Sequence, residues 1–162
     1  TMPSPPNVKL IEVQTGREMY KAVLDELPAD VAVFVAAVGD WYVGEVAEQK
    51  IKKNNGGPPS LKFKENPDIL HEVSNLREKR PSLVIGFAAE TSDLIKNAEI
   101  KLNKKNCDWI IANDVSTATG IMGGDQNKIS LISEKQKEDW PLMSKTSVAT
   151  KLASKICESL GV

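Results

Sequence analysis

The sequence predicts an α/β domain built on a doubly wound, mostly parallel β-sheet. Three observations carry that expectation. Strand-like apolar runs alternate with stretches of helical periodicity along the chain. Two of the runs, VAVFVAAV (31–38) and SLVIGFAA (82–89), are almost continuously apolar, as suits strands covered on both faces. And 162 residues are enough for one core without disulfide staples, so a single domain is expected.

The first strand is expected at VKLIEV (8–13). TGRE (15–18) follows, with Thr15 and Glu18 at capping-box spacing and Met19, Val23 and Leu27 at helical spacing, so a helix begins there. VAVFVAAV is the second strand. After it the order is interrupted by KIKK (50–53) and NNGGPPS (54–60), turn-forming residues read as part of a mobile, lysine-bearing loop over 50–60 rather than a domain linker. In ENPDILHEVSNL, Asn66 is the expected N-cap, Pro67 the first helical residue, and Ile69, Val73 and Leu76 the buried stripe. SLVIGFAA is the third strand. A helix from about Ser92 to Lys105 turns Leu94, Ile95, Ala98 and Leu102 inward. WIIAND (109–114) and KISLIS (128–133) complete the strands, the latter starting a hairpin-like edge. GGDQN (123–127) is ordinary turn chemistry. The last helix starts near Ser144 and carries Val148, Leu152, Ile156 and Leu160 four residues apart. No internal repeat is visible.

Composition narrows the chemistry. Hydrophobic residues are 41% and charged residues 27%, the balance of a soluble globular protein, and no apolar run is long enough to span a bilayer. The N-terminus lacks signal-peptide features, which makes the cytoplasm the expected compartment. A net charge of -1 offers no general attraction to nucleic acid or anionic membrane, so any phosphate binding must be local. Cys107 and Cys157 fit no metal spacing and read as free thiols. The only histidine, His71, cannot build a His-based zinc site, and without a partner base a Ser-His-Asp triad is hard to assemble. It is assigned no chemistry. Trp41 and Trp109 are expected in the core or an interface rather than stacked on a ligand.

Ligands of open α/β sheets bind beyond the carboxyl ends of the strands. Those ends read AAVGDW (36–41), GFAAET (86–91) and IANDVS (111–116), each leaving small or polar residues past an apolar run. Ala36, Ala37, Ala88 and Ala89 let a flat ligand approach the backbone, or serve as helix-on-sheet spacers. Asp40 and Asp114 suit a hard divalent cation, or cap turns, and Asn113 with Asp114 equally suits an Asx turn. Lys50, Lys52 and Lys53 form the densest positive patch near a strand end. They read either as a solvated face or as ammonium donors carried onto phosphates by their loop. The Asn66-Pro67-Asp68 start offers free helix amides to an anion or to a base edge, beside simple capping. No G-x-G-x-x-G or Walker loop follows a first strand.

AAVGDW, KIKK, KENPDIL, GFAAET and IANDVS, in that order and spacing, resemble the phosphopantothenoylcysteine synthetase family of coenzyme A biosynthesis, over about residues 8–160. The resemblance implies a Rossmann-like domain that binds CTP and a divalent cation, Mg2+ or Mn2+, and forms a homodimer. In most bacteria that domain is fused to a decarboxylase half. It also implies the reaction: the carboxylate of 4'-phosphopantothenate is activated as an acyl-cytidylate, and cysteine then displaces CMP. By motif, Asp40 matches the metal and triphosphate aspartate, and Lys50 the lysine near the nucleotide and the acyl-cytidylate. Ala37, Asn66, Pro67, Asp68 and Ile69 match the cytosine-recognising segments, and Phe87 and Lys53 match positions at the nucleotide pocket. Asn113 and Asp114 match a strand-end motif of unassigned role. Gly39 stands where the family usually has alanine. The family's Gly- and Thr-rich first strand and loop have no counterpart here, so the chain is expected to be an N-terminally truncated domain, weakly active or inactive alone. The competing expectations are an NAD(P)-binding Rossmann oxidoreductase, for which Tyr20 and Tyr42 fit no catalytic motif, and a non-catalytic nucleotide-binding module.

Overall fold

The computed structural model describes residues 5–44, 60–115 and 124–162. The lysine-bearing loop expected at 50–60, with Lys50, Lys52 and Lys53, therefore lies outside the described residues except for Ser60.

The capping box forms as its spacing predicts. The Glu18 amide donates to Thr15 Oγ1, the Glu18 carboxylate accepts from the Thr15 amide, and helix α1 runs Gly16–Asp25. Strand β1 follows at Val31–Phe34, then β2 at Trp41–Val43 and β3 at Phe63–Glu65, paired with each other as an antiparallel ribbon. Helix α2 (Ile69–Ser74), strand β4 (Leu83–Glu90), helix α3 (Leu94–Lys105) and strand β5 (Trp109–Asp114) come next. The chain continues with β6 (Gln126–Asn127), β7 (Ile129–Ser133), β8 (Lys137–Asp139), β9 (Met143–Ser144) and helix α4 (Lys145–Leu160).

The main sheet has the order β1-β4-β5-β7-β8. β1, β4 and β5 are parallel, and β7 and β8 add the hairpin edge in antiparallel sense. Alternation along the strands feeds two cores, one on each face. Val84, Ala88, Ile110, Ala112 and Ile132 face Ala98 and Leu102 of α3. Leu83, Ile85, Ile111, Ile129 and Leu131 face Val148 and Leu152 of α4, closed by Trp140. Helices on both faces of a mostly parallel sheet make this the doubly wound single domain expected from the alternation and the chain length, Rossmann-like as the resemblance implied. A third cluster joins α1 to α2 through Leu27, Ile69 and Val73.

Gly86 sets the height of α2 over the sheet. A Cβ there would stand 2.5 Å from Leu70 Cδ2 and 3.0 Å from Ile110 Cδ1, so only glycine lets the helix sit this low.

Four boundaries differ from expectation. VKLIEV forms no strand, and Val8, Leu10, Ile11 and Val13 stay exposed. Its pattern asks for a neighbouring strand, and among the described residues none pairs with it. β1 stops at Phe34, four residues short of Val38, and its pairing with β4 ends at Gly86 although β4 itself runs on to Glu90. The cap of α2 is Asp68, whose carboxylate accepts from the His71 amide at 3.2 Å, so Asn66 and Pro67 lie before the helix. And α3 begins at Leu94 rather than Ser92, after Asp93 in a left-handed conformation.

Candidate functional site

Beyond the carboxyl ends of β1 and β4 lies a cleft of about 490 Å³. One wall is Ala36 to Trp41, which leaves β1 for β2; the other is Glu65 to Leu70, which leaves β3 for α2. The floor includes Phe34 and Phe87, and the third side is α3, through Lys101, Lys104 and Lys105. A larger hollow, about 870 Å³, opens at the opposite end of the strands around Arg80, Asp108 and Trp109. Size does not decide between them. The smaller cleft is the one at the carboxyl ends, where loops and a helix start converge in this architecture.

The two walls are tied together by the backbone and by one side chain. The Asn66 amide N–H donates to the Asp40 carbonyl at 2.8 Å, and Asn66 Nδ2 donates to the Gly39 carbonyl at 2.8 Å. Asn66 thus clamps the Gly39-Asp40 turn instead of capping α2. Gly16, the first residue of α1, presses on the same joint: a Cβ there would lie 2.8 Å from Val38 Cγ1 and 3.4 Å from Asn66. Arg17, next along, stacks its guanidinium 4.3 Å from the Tyr42 ring centre.

The charge in the cleft is divided. Asp40, Glu65 and Asp68 bring carboxylates, and three lysines from the last two turns of α3 bring ammonium groups. Lys101 donates to the Phe87 carbonyl at 2.9 Å, and Lys105 is ion-paired with Asp68. Partial burial of Asp68 works against its charged form, but the Lys105 ammonium and the His71 amide outweigh that and hold its carboxyl below the ordinary aspartate value. The lining also holds the small side chains Ala36 and Ala37 and the turn that leads into α2. Such a mixture of cations, small side chains and backbone can accommodate an anion beside a flat, polar ring.

The donor set suits a divalent cation only in company. Among the described residues there is no cluster of three or more His, Cys, Asp or Glu side chains able to cage an ion. Asp40 is exposed at the lip of the cleft, and one carboxylate together with substrate phosphates and water is the usual way a protein holds Mg2+.

Ala37, Asp40, Asn66, Pro67, Asp68, Ile69 and Phe87 all line this one cleft, although they come from three separate stretches of chain. Phe87 lines the cleft while its side chain packs with the α4-side core, and its carbonyl accepts from Lys101. Ala88 is buried in the α3-side core, the spacer role left open for it by sequence. Asn113 and Asp114 lie outside the cleft, at the end of β5 opposite Ala89 and Glu90. His71 is exposed, its Nδ1 3.2 Å from Asn75 Nδ2. Trp41, expected in a core or interface, is 58% exposed at the cleft rim, and Trp109 packs half-buried on the α4-side core. Lys50 and Lys53 lie outside the described residues. The lysines of KLNKK (101–105) escaped the sequence reading. Their i, i+3, i+4 spacing, which puts them on one helix face, was the available signal.

A family model described as the DNA/pantothenate metabolism flavoprotein C-terminal domain matches residues 1–160. The chain is similar to the coenzyme A biosynthesis bifunctional protein CoaBC of Vibrio cholerae serotype O1, 38% identical over 161 residues, which is 98% of this chain and 40% of the relative. The protein of the same name from Haemophilus influenzae is 40% identical over 156 residues, 96% of this chain and 38% of the relative. The chain thus spans about two fifths of the length of these curated relatives. Among solved structures, the C-terminal domain of a coenzyme A biosynthesis bifunctional protein CoaBC matches with a TM-score of 0.74 and 26% identity, covering 99% of this chain and 70% of that one. The DNA/pantothenate metabolism flavoprotein from Streptococcus pneumoniae matches with a TM-score of 0.76 over 98% of this chain and 77% of that one; at 22% identity it shows the shared fold. With a family model spanning nearly all of its length and relatives near 40% identity across it, the chain belongs to the family of DNA/pantothenate metabolism flavoprotein C-terminal domains.

Proposed function

We propose that this chain is the nucleotide-binding ligase unit of a coenzyme A biosynthesis protein, joining cysteine to 4'-phosphopantothenate at the expense of CTP. The observation that carries the reading is the convergence of Ala37, Asp40 and the Asn66–Ile69 segment on one cleft with Lys101, Lys104 and Lys105. The names of its relatives support the pathway; the CTP step is our own inference from the family resemblance and the cleft's chemistry.

In the proposed reaction a carboxylate oxygen of 4'-phosphopantothenate attacks the α-phosphorus of CTP, and pyrophosphate leaves with the electron pair of the broken P–O bond. The neutral amine of cysteine then attacks the acyl carbon, the C–O bond to the phosphate breaks so that CMP leaves with its electron pair, and the nitrogen gives up one proton to solvent, leaving the amide. Both steps gather negative charge more than they move protons, so fixed cations and amide donors are the needed catalysts. A bound Mg2+ or Mn2+ would draw charge from the phosphates, with Asp40 as its protein ligand. The lysines of α3 and the α2 amides would receive phosphate and base. Lys50 is assigned to the activated carboxylate, and Lys53 to the nucleotide.

Thermal shift with CTP and magnesium, set against ATP and against NAD, tests the assignment, since a ligand that binds only the folded state raises its melting temperature. A rise with CTP alone is expected. A rise with NAD alone would sink the proposal in favour of an oxidoreductase, and equal rises with CTP and ATP would leave a nucleotide-binding module without base selection.

A further inference from the structure

Helix α2 is six residues long, too short to stand on its own propensity, so tertiary contacts must hold it. Leu70 supplies one, packed with Ala98 and Leu102 of α3. Others come from the two ends of α2, and both ends meet the last residue of α3 or its C-cap. At the N-terminal end Asp68 is ion-paired with the Lys105 ammonium. At the C-terminal end the C-cap, Asn75, reaches across. Its Nδ2 donates to the His71 carbonyl at 2.7 Å and to the Lys105 carbonyl at 3.3 Å, and its Oδ1 accepts from Asn106 Nδ2 at 3.0 Å. Asn106 is in turn the C-cap of α3, in the left-handed conformation common at helix ends. Lys105 is thus held twice, by its ammonium and by its backbone.

The two holds differ in what an anion can do to them. The ion pair joins opposite charges, and a phosphate in the cleft competes with Asp68 for the same ammonium. The Asn75 bridge joins neutral amides, so an anion has no charge there to draw away. The Lys105 side chain is only 18% exposed, which ties the place of its ammonium to the place of its backbone. Asn75 itself is exposed and stands outside the lining of the cleft.

We propose that Asn75 is a positioning residue of the cleft: by bridging the C-terminal ends of α2 and α3 it keeps the Lys105 backbone in place while the Lys105 ammonium passes from Asp68 to a phosphate. This role rests on the reading of the cleft as a phosphate site. The bridge has one competitor. His71 Nδ1 lies 3.2 Å from Asn75 Nδ2, so two N–H groups serve three acceptors, and one N–H is shared between His71 Nδ1 and the Lys105 carbonyl.

The test is calorimetric titration of pyrophosphate, at neutral pH, into the 162-residue chain and three variants. Asn75→Ala removes the bridge from the α2 side. Asn106→Gly removes one of its bonds from the α3 side and keeps a residue suited to the left-handed cap. His71→Ala leaves the bridge and takes away its competitor. Pyrophosphate should bind about threefold to tenfold more weakly to Asn75→Ala, the worth of one neutral hydrogen bond. The loss should be smaller in Asn106→Gly and absent in His71→Ala. Carbon NMR of the Asp68 carboxyl gives a second readout that needs no ligand. Burial works against the charged Asp68, and the Lys105 ammonium and the His71 amide outweigh it, so a displaced Lys105 should let the Asp68 titration rise toward that of an ordinary aspartate in Asn75→Ala. Unchanged pyrophosphate affinity in Asn75→Ala, or an Asp68 titration that does not move, would overturn the role of Asn75 alone. So would an equal loss in His71→Ala, which would put the effect within α2. If the wild-type chain binds no pyrophosphate, the phosphate reading of the cleft falls and this role falls with it.

Discussion

Replacing Asn66 with serine separates two roles that its position before a helix makes easy to confuse. Serine caps helices as well as asparagine does, so a capping Asn66 would be replaced at no cost. In the structure Asp68 caps α2, and Asn66 Nδ2 instead reaches the Gly39 carbonyl at 2.8 Å. A serine hydroxyl stands on a shorter side chain and loses that bond. A neutral hydrogen bond contributes about 0.5–1.5 kcal/mol net. Gly39 is exposed and water can replace the donor, so the lower half of the range applies, about 0.5–1 kcal/mol. In urea that lowers the midpoint by about 0.3–0.5 M for an m-value near 2 kcal/mol/M. The larger effect falls on the cleft, because the released turn carries Asp40. CTP affinity measured by calorimetry with magnesium should fall about threefold to tenfold, the equivalent of 0.7–1.4 kcal/mol. Asn66→Ser with unchanged urea midpoint and unchanged affinity would refute the clamp.

Gly86→Ala should cost about 1–3 kcal/mol in urea denaturation, since the new methyl meets Leu70 Cδ2 at 2.5 Å; combined with Leu70→Ala the extra cost should largely vanish. Lys101→Met removes the ammonium held at the Phe87 carbonyl and is expected to weaken CTP binding about tenfold, with a shallower dependence of affinity on salt. Cys107 has its thiol pushed up to about 11, from an ordinary 9.0, chiefly by burial. The unfolded chain gives up that proton first, so this thiol's contribution to stability should be constant below about pH 9 and fall as pH rises toward 11; Cys107→Ala should flatten that limb in pH-dependent melting. In the native protein iodoacetamide should accordingly label exposed Cys157 and spare buried Cys107.

What could be read from the sequence was what local pattern decides. The Thr15–Glu18 box, the inward stripes of α3 and α4, and the strands at 83–90 and 109–114 follow from periodicity and capping chemistry, and each formed. VKLIEV failed because a strand needs a partner, and pairing is not written in the strand itself. Asn66 and Asp68 are both good caps two residues apart, and only the contact with Gly39, 27 residues earlier, decides between them. The lining of the candidate site could be expected on the same ground as the sheet: carboxyl ends of parallel strands lie together, and Ala37, Asp40 and Phe87 do line one cleft. The α3 lysines were not, because a basic last turn is ordinary helix chemistry until the sheet turns it toward a cleft.

In the proposed reading, the placement of charge lets lysine side chains meet the triphosphate. A Gly-rich loop supplies backbone amides in a fixed nest. Here, in that reading, side-chain cations would meet the phosphates from a helix anchored by Ala98 and Leu102 in the core. Asp68 keeps one of them, Lys105, engaged when no anion is present, and the same pairing holds the Asp68 carboxyl below its usual range. An incoming phosphate must therefore compete with Asp68 for that ammonium. Asp68→Asn keeps a good cap and releases Lys105, so it should tighten binding of pyrophosphate, measured by calorimetry at neutral pH, by about threefold, a gain of about 0.7 kcal/mol as expected for freeing a partly exposed pair. Weaker pyrophosphate binding in Asp68→Asn would show that Lys105 serves to hold α2 in place and takes no part in receiving the anion.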